Sequence, residues 1–587
     1  MRSALWLAVS AVLFSATGEA QESRWVDSTL SSLTTEEKVG QLFVVELVGL
    51  FTNTDDTAWR YAEEMVQGYH VGAFILGGGN VLDIPIITNR LQKLSRVPLL
   101  INGDLEAGMT YMHPWRLSRG WSDRLPRYIA GGGTQCISQM GIGATGDVRY
   151  AEDLGRITAL EARAVGIHWS NSPVADVNVN PDNPIINTRS YGEDPAAVGA
   201  MVAAYVRGAQ SAGMMATLKH FPGHGDTRTD SHMELPVLPF DLRRLDSVEF
   251  APFRAGIAAG AKAVMTSHLA LPRIDGTRSP ATLSRPVITG LLRTHLGFDG
   301  IVVTDGMRMQ GITDHFASGE AAIRAIEAGA DAVLGIADID SAFHAVVAAV
   351  KSGRLPQSRI DRSVRRMLAA KEWAGLSVRR TVNVDSIFTI VGSSALRRRA
   401  EEMSDASVTL LRNEGGLLPL GPARRALFVT VTEDPQPGVG TDLLETAAPL
   451  LRTSSLARVS NETGRERFDQ IRTLARDADV TVVGIYLSVV AWKGDSRFAA
   501  PLAEFLASLD AWPTPVVLVA FGDPYVIGRL PVVRAILTPF NGTVIAEASV
   551  ARAITGRIRI AGHMPVTIPG RYRRGDGIVL EAAAPGR

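Results

Sequence analysis

Residues 300–335 read GIVVTDGMRMQGITDHFASGEAAIRAIEAGADAVLG and hold a complete structural unit. An apolar run (GIVVTD, 300–305) leads to a helix-like segment (AAIRAIEAGA, 321–330) and then to a second apolar run (ADAVLG, 330–335). Strand-like runs joined through a helix imply a parallel pair, because antiparallel neighbours need only a tight turn. The same alternation fills residues 33–370, with further strand candidates QLFVV (41–45), GAFIL (72–76), PLLING (98–103), VADVNV (174–179), MMATLKH (214–220) and AKAVMTSH (261–268). Helix-like stretches such as AEDLGRITALEARAVG (151–166) lie between them, and Thr34 with Glu37 forms a capping box before the first strand. Eight such runs predict a TIM-type (β/α)8 barrel of the α/β class. The competing doubly wound sheet would carry a GxGxxG turn after its first strand, and GGGN (77–80) lacks that spacing.

Beyond the barrel, an Arg-rich helical stretch from about 358 to 402 leads to more strand-like runs: ALFVTVT (426–432), VTVVGIYLSV (480–489), PVVLVAF (515–521) and RAILTPF (534–540). The predicted division is a signal peptide (1–20), a catalytic barrel (25–372), a helical linker (373–402) and a smaller α/β sandwich (403–587).

Composition narrows the function classes. In 587 residues, 60 Lys and Arg balance 60 Asp and Glu, so no chain-wide field attracts nucleic acid, and no nucleic-acid partner is expected. Hydrophobic residues at 46% and charged residues at 20% suit a globular chain with a large core. A single cysteine, Cys136, excludes an intramolecular disulfide and any CxxC centre. The N-terminus MRSALWLAVSAVLFSATGEAQES has a basic start, a short apolar run and small residues before a cleavage point, which predicts export to the periplasm or the exterior. The apolar run is shorter than the ~20 residues that cross a bilayer, so no stable membrane anchor is expected.

In a barrel, groups at the C-terminal ends of the strands converge on one mouth. Here those positions hold Asp104 and Glu106, Asn180 and Arg189, Lys219 with His220, His268 and Asp305. The densest segment, KHFPGHGDTRTDSHMELP (219–236), is a loop by its Gly and Pro content. Asp230 and His232 stand two residues apart, so the carboxylate can orient one ring nitrogen and leave the other to exchange a proton with substrate. Asp305 is the nucleophile candidate for attack on a sugar's anomeric carbon, and Lys219, Arg189 and Asp104 are placed to bind hydroxyls. Three alternatives stay open at this level. His220, His224, His232 and Asp226 are competent metal ligands, though their spacing matches no zinc motif. Asp305 can serve as a helix cap, and Lys219, Arg189 and Asp104 can pair among themselves.

LTTEEKVGQLF (33–43), NVNPDNPIINTRSYGEDP (178–195), KHFPGHGDTRTDSH (219–232), GFDGIVVTDGM (297–307) and SVTLLRNEGGLLPL (407–420) together resemble glycoside hydrolase family 3, in its β-N-acetylglucosaminidase (β-hexosaminidase) branch. The resemblance implies Asp305 as nucleophile, His232 as acid/base and Asp230 as its dyad partner. It also implies Asp104, Arg189, Lys219 and His220 as substrate-binding residues, with His268 and Met307 at further pocket positions. The implied reaction is retaining hydrolysis of terminal non-reducing β-linked N-acetylglucosamine, in peptidoglycan fragments or chitooligosaccharides, without metal or organic cofactor. A phosphorylase of the same branch and a non-catalytic sugar-binding relative are the alternatives. The chain departs from the family pattern at Gly306, at Ala107-Gly108 and across residues 109–139.

Overall fold

The computed structural model describes residues 23–109, 133–487 and 498–583. The expected signal peptide and most of the divergent stretch after Met109 lie outside the described residues.

Eight parallel strands make the first sheet: β1 (Phe43–Gly49), β2 (Ala73–Gly79), β3 (Leu100–Gly103), β4 (Trp169–Ser170), β5 (Met215–Phe221), β6 (Ala263–Thr266), β7 (Ile301–Val303) and β8 (Val333–Leu334). Their order is β7-β6-β5-β4-β3-β2-β1-β8, and a parallel bridge from Val303 to Ala332 brings the two edges together. This is the predicted barrel. Its strands are apolar on both faces because both faces are covered. On β1, Val44 packs into the barrel interior, while Phe43 and Val45 join the cluster shared with the surrounding helices.

One end of the barrel is stopped. Met367 and Ala370 of the helix Gln357–Trp373, with Ala374 and Leu376 just beyond it, pack against the first residues of the strands, among them Ala73, Leu100, Met215, Ala263 and Ile301. The opposite end, where the strands finish, is left for chemistry.

The fourth strand corrects an expectation. VADVNV (174–179) is not a strand; β4 lies five residues earlier, and only Val174 bridges back to the sheet, at Lys219. Pro173 offers no N–H to a ladder, and the polar side chains that follow are spent on the end of β5 and on other loops. Asp176 bonds His220, Asn178 bonds Asn187 and Asn180 bonds Thr227.

The second sheet comprises β9 (Thr409–Asn413), β10 (Arg425–Val431), β11 (Thr453–Val459), β12 (Val480–Leu487), β13 (Val516–Gly522) and β14 (Ala535–Thr538). The order is β11-β10-β12-β13-β14-β9, parallel throughout except for β9 against β14. Four of the six match runs read from the sequence. β11, TSSLARV, alternates exposed and buried residues as an edge strand, so its apolar content is low. In the chain between the two sheets come the helices Ile339–Lys351, Gln357–Trp373, Ile387–Ile390 and Ser394–Ser407. Among the described residues, no helix is long and apolar enough to cross a membrane.

Candidate active site

A chain of ion pairs spans the mouth at β3 and β5. Glu106 is buried just after β3 and accepts both forks of Arg189, from Nε at 2.9 Å and Nη2 at 2.8 Å. The same carboxylate lies 2.7 Å from Lys219 Nζ, which also reaches Asp104 at 3.1 Å. Burial alone would raise the Glu106 carboxyl, but Arg189 and Lys219 outweigh it and hold the group well below the usual carboxylate range. Mutual pairing of Asp104, Arg189 and Lys219 through Glu106 is therefore real. It fixes the direction of each head group without excluding a bound hydroxyl, since Asp104 remains partly exposed.

The histidine loop is built around two carboxylates. Asp176 is buried and accepts the backbone N–H groups of His220 (3.1 Å) and His224 (2.7 Å), and its Oδ2 sits 2.7 Å from His220 Nδ1. The His220 ring then presents Nε2 to Arg189 Nη2 at 3.4 Å. Asp230 accepts the backbone N–H of His232 at 2.9 Å and meets its Nδ1 at 2.6 Å. Gly225 between them admits no side chain, because a Cβ there would stand 1.8 Å from the Val177 carbonyl oxygen.

The three remaining groups have distinct surroundings. His224 is enclosed between Thr227 and Ser231, and burial lowers its ring to about 4. His268 is fully buried, bonded to Thr282 Oγ1 and the Gly306 carbonyl, and burial lowers its pKa against the opposing pull of Asp305. Asp305 is half-buried beyond the end of β7. Burial pushes its carboxyl up, yet the fields of His220, His268 and His232 prevail and hold it below the ordinary aspartate value. The His232 loop packs on the short helix Gln310–Thr313 that comes after Asp305: a Cβ on Gly311 would meet Ser231 O at 3.3 Å and His268 Cβ at 3.4 Å. Dyad and carboxylate thus face one mouth. The His232 side chain is 20% exposed, whereas His224 and His268 are closed off, so His232 is the ring of these three that can meet a ligand.

The structure brings Asp104, Arg189, Lys219, His220, His268, Asp305, Asp230 and His232 to this mouth. Met307 is different: its side chain is buried in the main core, and its N–H donates to Leu334 O. The metal set does not assemble. Asp226 pairs with Arg244, the three rings take separate partners, and no group of three or more His, Cys, Asp or Glu among the described residues is placed to hold an ion. Sequence reading missed Asp176, whose signal is a lone acid inside an apolar run, and left Glu106 out of the binding set although it ends the β3 segment.

Comparison with known proteins follows the same two-part division. Residues 34–370 match the glycosyl hydrolase family 3 N-terminal domain and residues 408–577 match the C-terminal domain of that family. A β-N-acetylglucosaminidase/β-glucosidase of Cellulomonas fimi is 29% identical over 574 residues, covering 92% of this chain and 95% of that protein. The structure of a glycoside hydrolase family 3 β-N-acetylglucosaminidase from Paenibacillus sp. str. FPU-7 superimposes with a TM-score of 0.80 at 33% identity, over 92% of this chain and 99% of that one. The β-glucoside phosphorylase BglX bound to 2FGlc superimposes with a TM-score of 0.79 at 27% identity, over 94% and 97%. The chain therefore belongs to glycosyl hydrolase family 3 and is a glycoside hydrolase.

Proposed function

We propose that the protein is a retaining exo-glycosidase that removes terminal non-reducing β-linked N-acetylglucosamine from peptidoglycan fragments or chitooligosaccharides. The observation that carries this reading is the Asp230–His232 dyad, on a loop whose Ser231 carbonyl packs near Gly311, with the Asp305 carboxyl inside the field of His232. An ionised Asp305 attacks the anomeric carbon as His232 Nε2 gives its proton to the leaving oxygen, forming a glycosyl-enzyme ester. His232 then takes a proton from water, which attacks the same carbon and frees the Asp305 carboxylate. Asp230 orients the ring throughout. Asp104, Arg189, Lys219 and His220 hold sugar hydroxyls, and their fixed ion pairs keep reorganisation small when substrate arrives.

Residues 25–372 act as the catalytic unit, joined by 373–402 to the sandwich domain at 403–587, and residues 1–20 direct export to the periplasm or the exterior. The BglX likeness favours one rival, in which phosphate replaces water in the second step. An aryl β-N-acetylglucosaminide assayed with and without phosphate separates the two. Free N-acetylglucosamine in both conditions supports hydrolysis, and N-acetylglucosamine 1-phosphate as the main product overturns it.

A further inference from the structure

Arg189 lies in a short turn, Asn187–Arg189, within a long loop of the barrel. Much of what fixes that turn comes from the other domain. Asp523, just past the end of β13, is buried, and its Oδ1 accepts Asn187 Nδ2 at 3.0 Å as well as the Tyr525 N–H at 2.9 Å. The Tyr525 hydroxyl bonds Asn178 Nδ2 at 2.8 Å, and Asn178 Oδ1 accepts the Asn187 N–H at 3.1 Å. Asn187 itself has φ +41°, a left-handed conformation that asparagine tolerates better than most non-glycine residues and that its bonded surroundings here hold in place. The far flank of the turn is held in the same way. The Glu193 carboxylate accepts the Thr567 N–H and hydroxyl, both at 2.7 Å, and the Glu193 N–H donates to Pro565 O at 3.1 Å.

We infer that the second domain acts as a clamp on the Arg189 turn, with Asp523 as a positioning residue that sets the guanidinium against Glu106 and the sugar site. The inference rests on the reading that Arg189 grips substrate. Removing the Asp523 carboxylate leaves the Asn187 amide without its acceptor in a buried place, which favours rearrangement of the turn. A displacement of about 1 Å at a binding group is enough to cost up to roughly 100-fold in rate.

The test uses the full chain with Asp523→Ala, Asp523→Asn, Arg189→Ala and the Asp523→Ala/Arg189→Ala double variant. Kinetics on the aryl β-N-acetylglucosaminide should show kcat/KM falling about tenfold or more in Asp523→Ala, mainly through KM. Asp523→Asn should recover most of it, because an amide oxygen still accepts from Asn187. The double variant should be no worse than Arg189→Ala alone. Wild-type kinetics in Asp523→Ala, or a full multiplication of the two losses, overturns the clamp. Hydrogen exchange over residues 186–194 gives a readout independent of activity. Faster exchange in Asp523→Ala, restored in Asp523→Asn, is expected, and unchanged exchange overturns the inference. If wild type does not turn over the sugar while exchange changes as expected, the functional reading fails and the clamp stands. Should Asp523→Ala not fold, Thr567→Val loosens the other flank and is expected to shift exchange and KM in the same direction.

Discussion

In the proposed reaction, Asp305 and His232 divide the chemistry by environment. Three histidines hold the Asp305 carboxyl below its ordinary value, which favours the ionised form a nucleophile needs. Asp305→Ala should lower kcat by roughly 10^4-fold or more, measured on an aryl β-N-acetylglucosaminide, with thermal unfolding little changed. In kcat/KM, which reports formation of the glycosyl-enzyme, His232→Ala should lose about 10^2- to 10^4-fold on a poor leaving group but far less on an activated phenol, whose departure needs no proton. Equal losses on both would remove His232 from the acid role. Because the folded-state Asp305 pKa is depressed, the acid limb of kcat/KM belongs below the usual aspartate range. His268→Gln, which removes one of the rings that lower the Asp305 pKa, should move that limb to higher pH, and an unmoved limb would show that the field of His268 is not felt at Asp305.

The loop after β5 and the helix that stops the barrel show how elements carry these residues. Gly225→Ala drives a methyl group into the Val177 carbonyl and should displace the segment bearing Asp230 and His232. We expect kcat/KM to drop by more than about tenfold, with a lower Tm. At the closed end, Lys371 of the helix Gln357–Trp373 is fully buried and donates to Gln41 Oε1; burial first, then Arg380, lowers its pKa to about 7. The unfolded chain holds that proton up to about 10.4, so between about 7 and 10.4 it binds more protons than the fold does. This group's contribution to stability therefore rises with pH through that window and is least favourable below it. Lys371→Met should raise Tm at pH 6 by a few degrees and flatten the rise seen by thermal melts from pH 6 to 9. Strand positions in this barrel were legible where apolar runs of both faces ended in polar residues, as at β5 and β7. They were misread at 174–179, where alternating polar residues serve loop bonds instead of a sheet face. The edge strand β11 was invisible because exposure had removed its apolar signal.

Across the whole molecule, the barrel mouth and the second domain meet at the loop of residues 178–193. That meeting was not legible in the sequence, since the bonds of Asn178, Asn187 and Glu193 reach residues more than 330 positions away. The candidate site itself was largely legible, because it is built from strand ends and one loop whose residues lie close in the chain. A chain ending at residue 393 should lose activity along with the fixed Arg189 turn, checked by kinetics and by exchange of that loop in the truncated protein. The central claim is a covalent sugar on Asp305, and trapping it is the most direct test. The His232→Ala variant, given an activated aryl β-N-acetylglucosaminide, should form the ester faster than water can break it. Mass spectrometry of its digest should then find one N-acetylglucosaminyl group on the peptide containing Asp305. A variant that releases the phenol yet never carries the adduct, or carries it on another residue, would contradict the account.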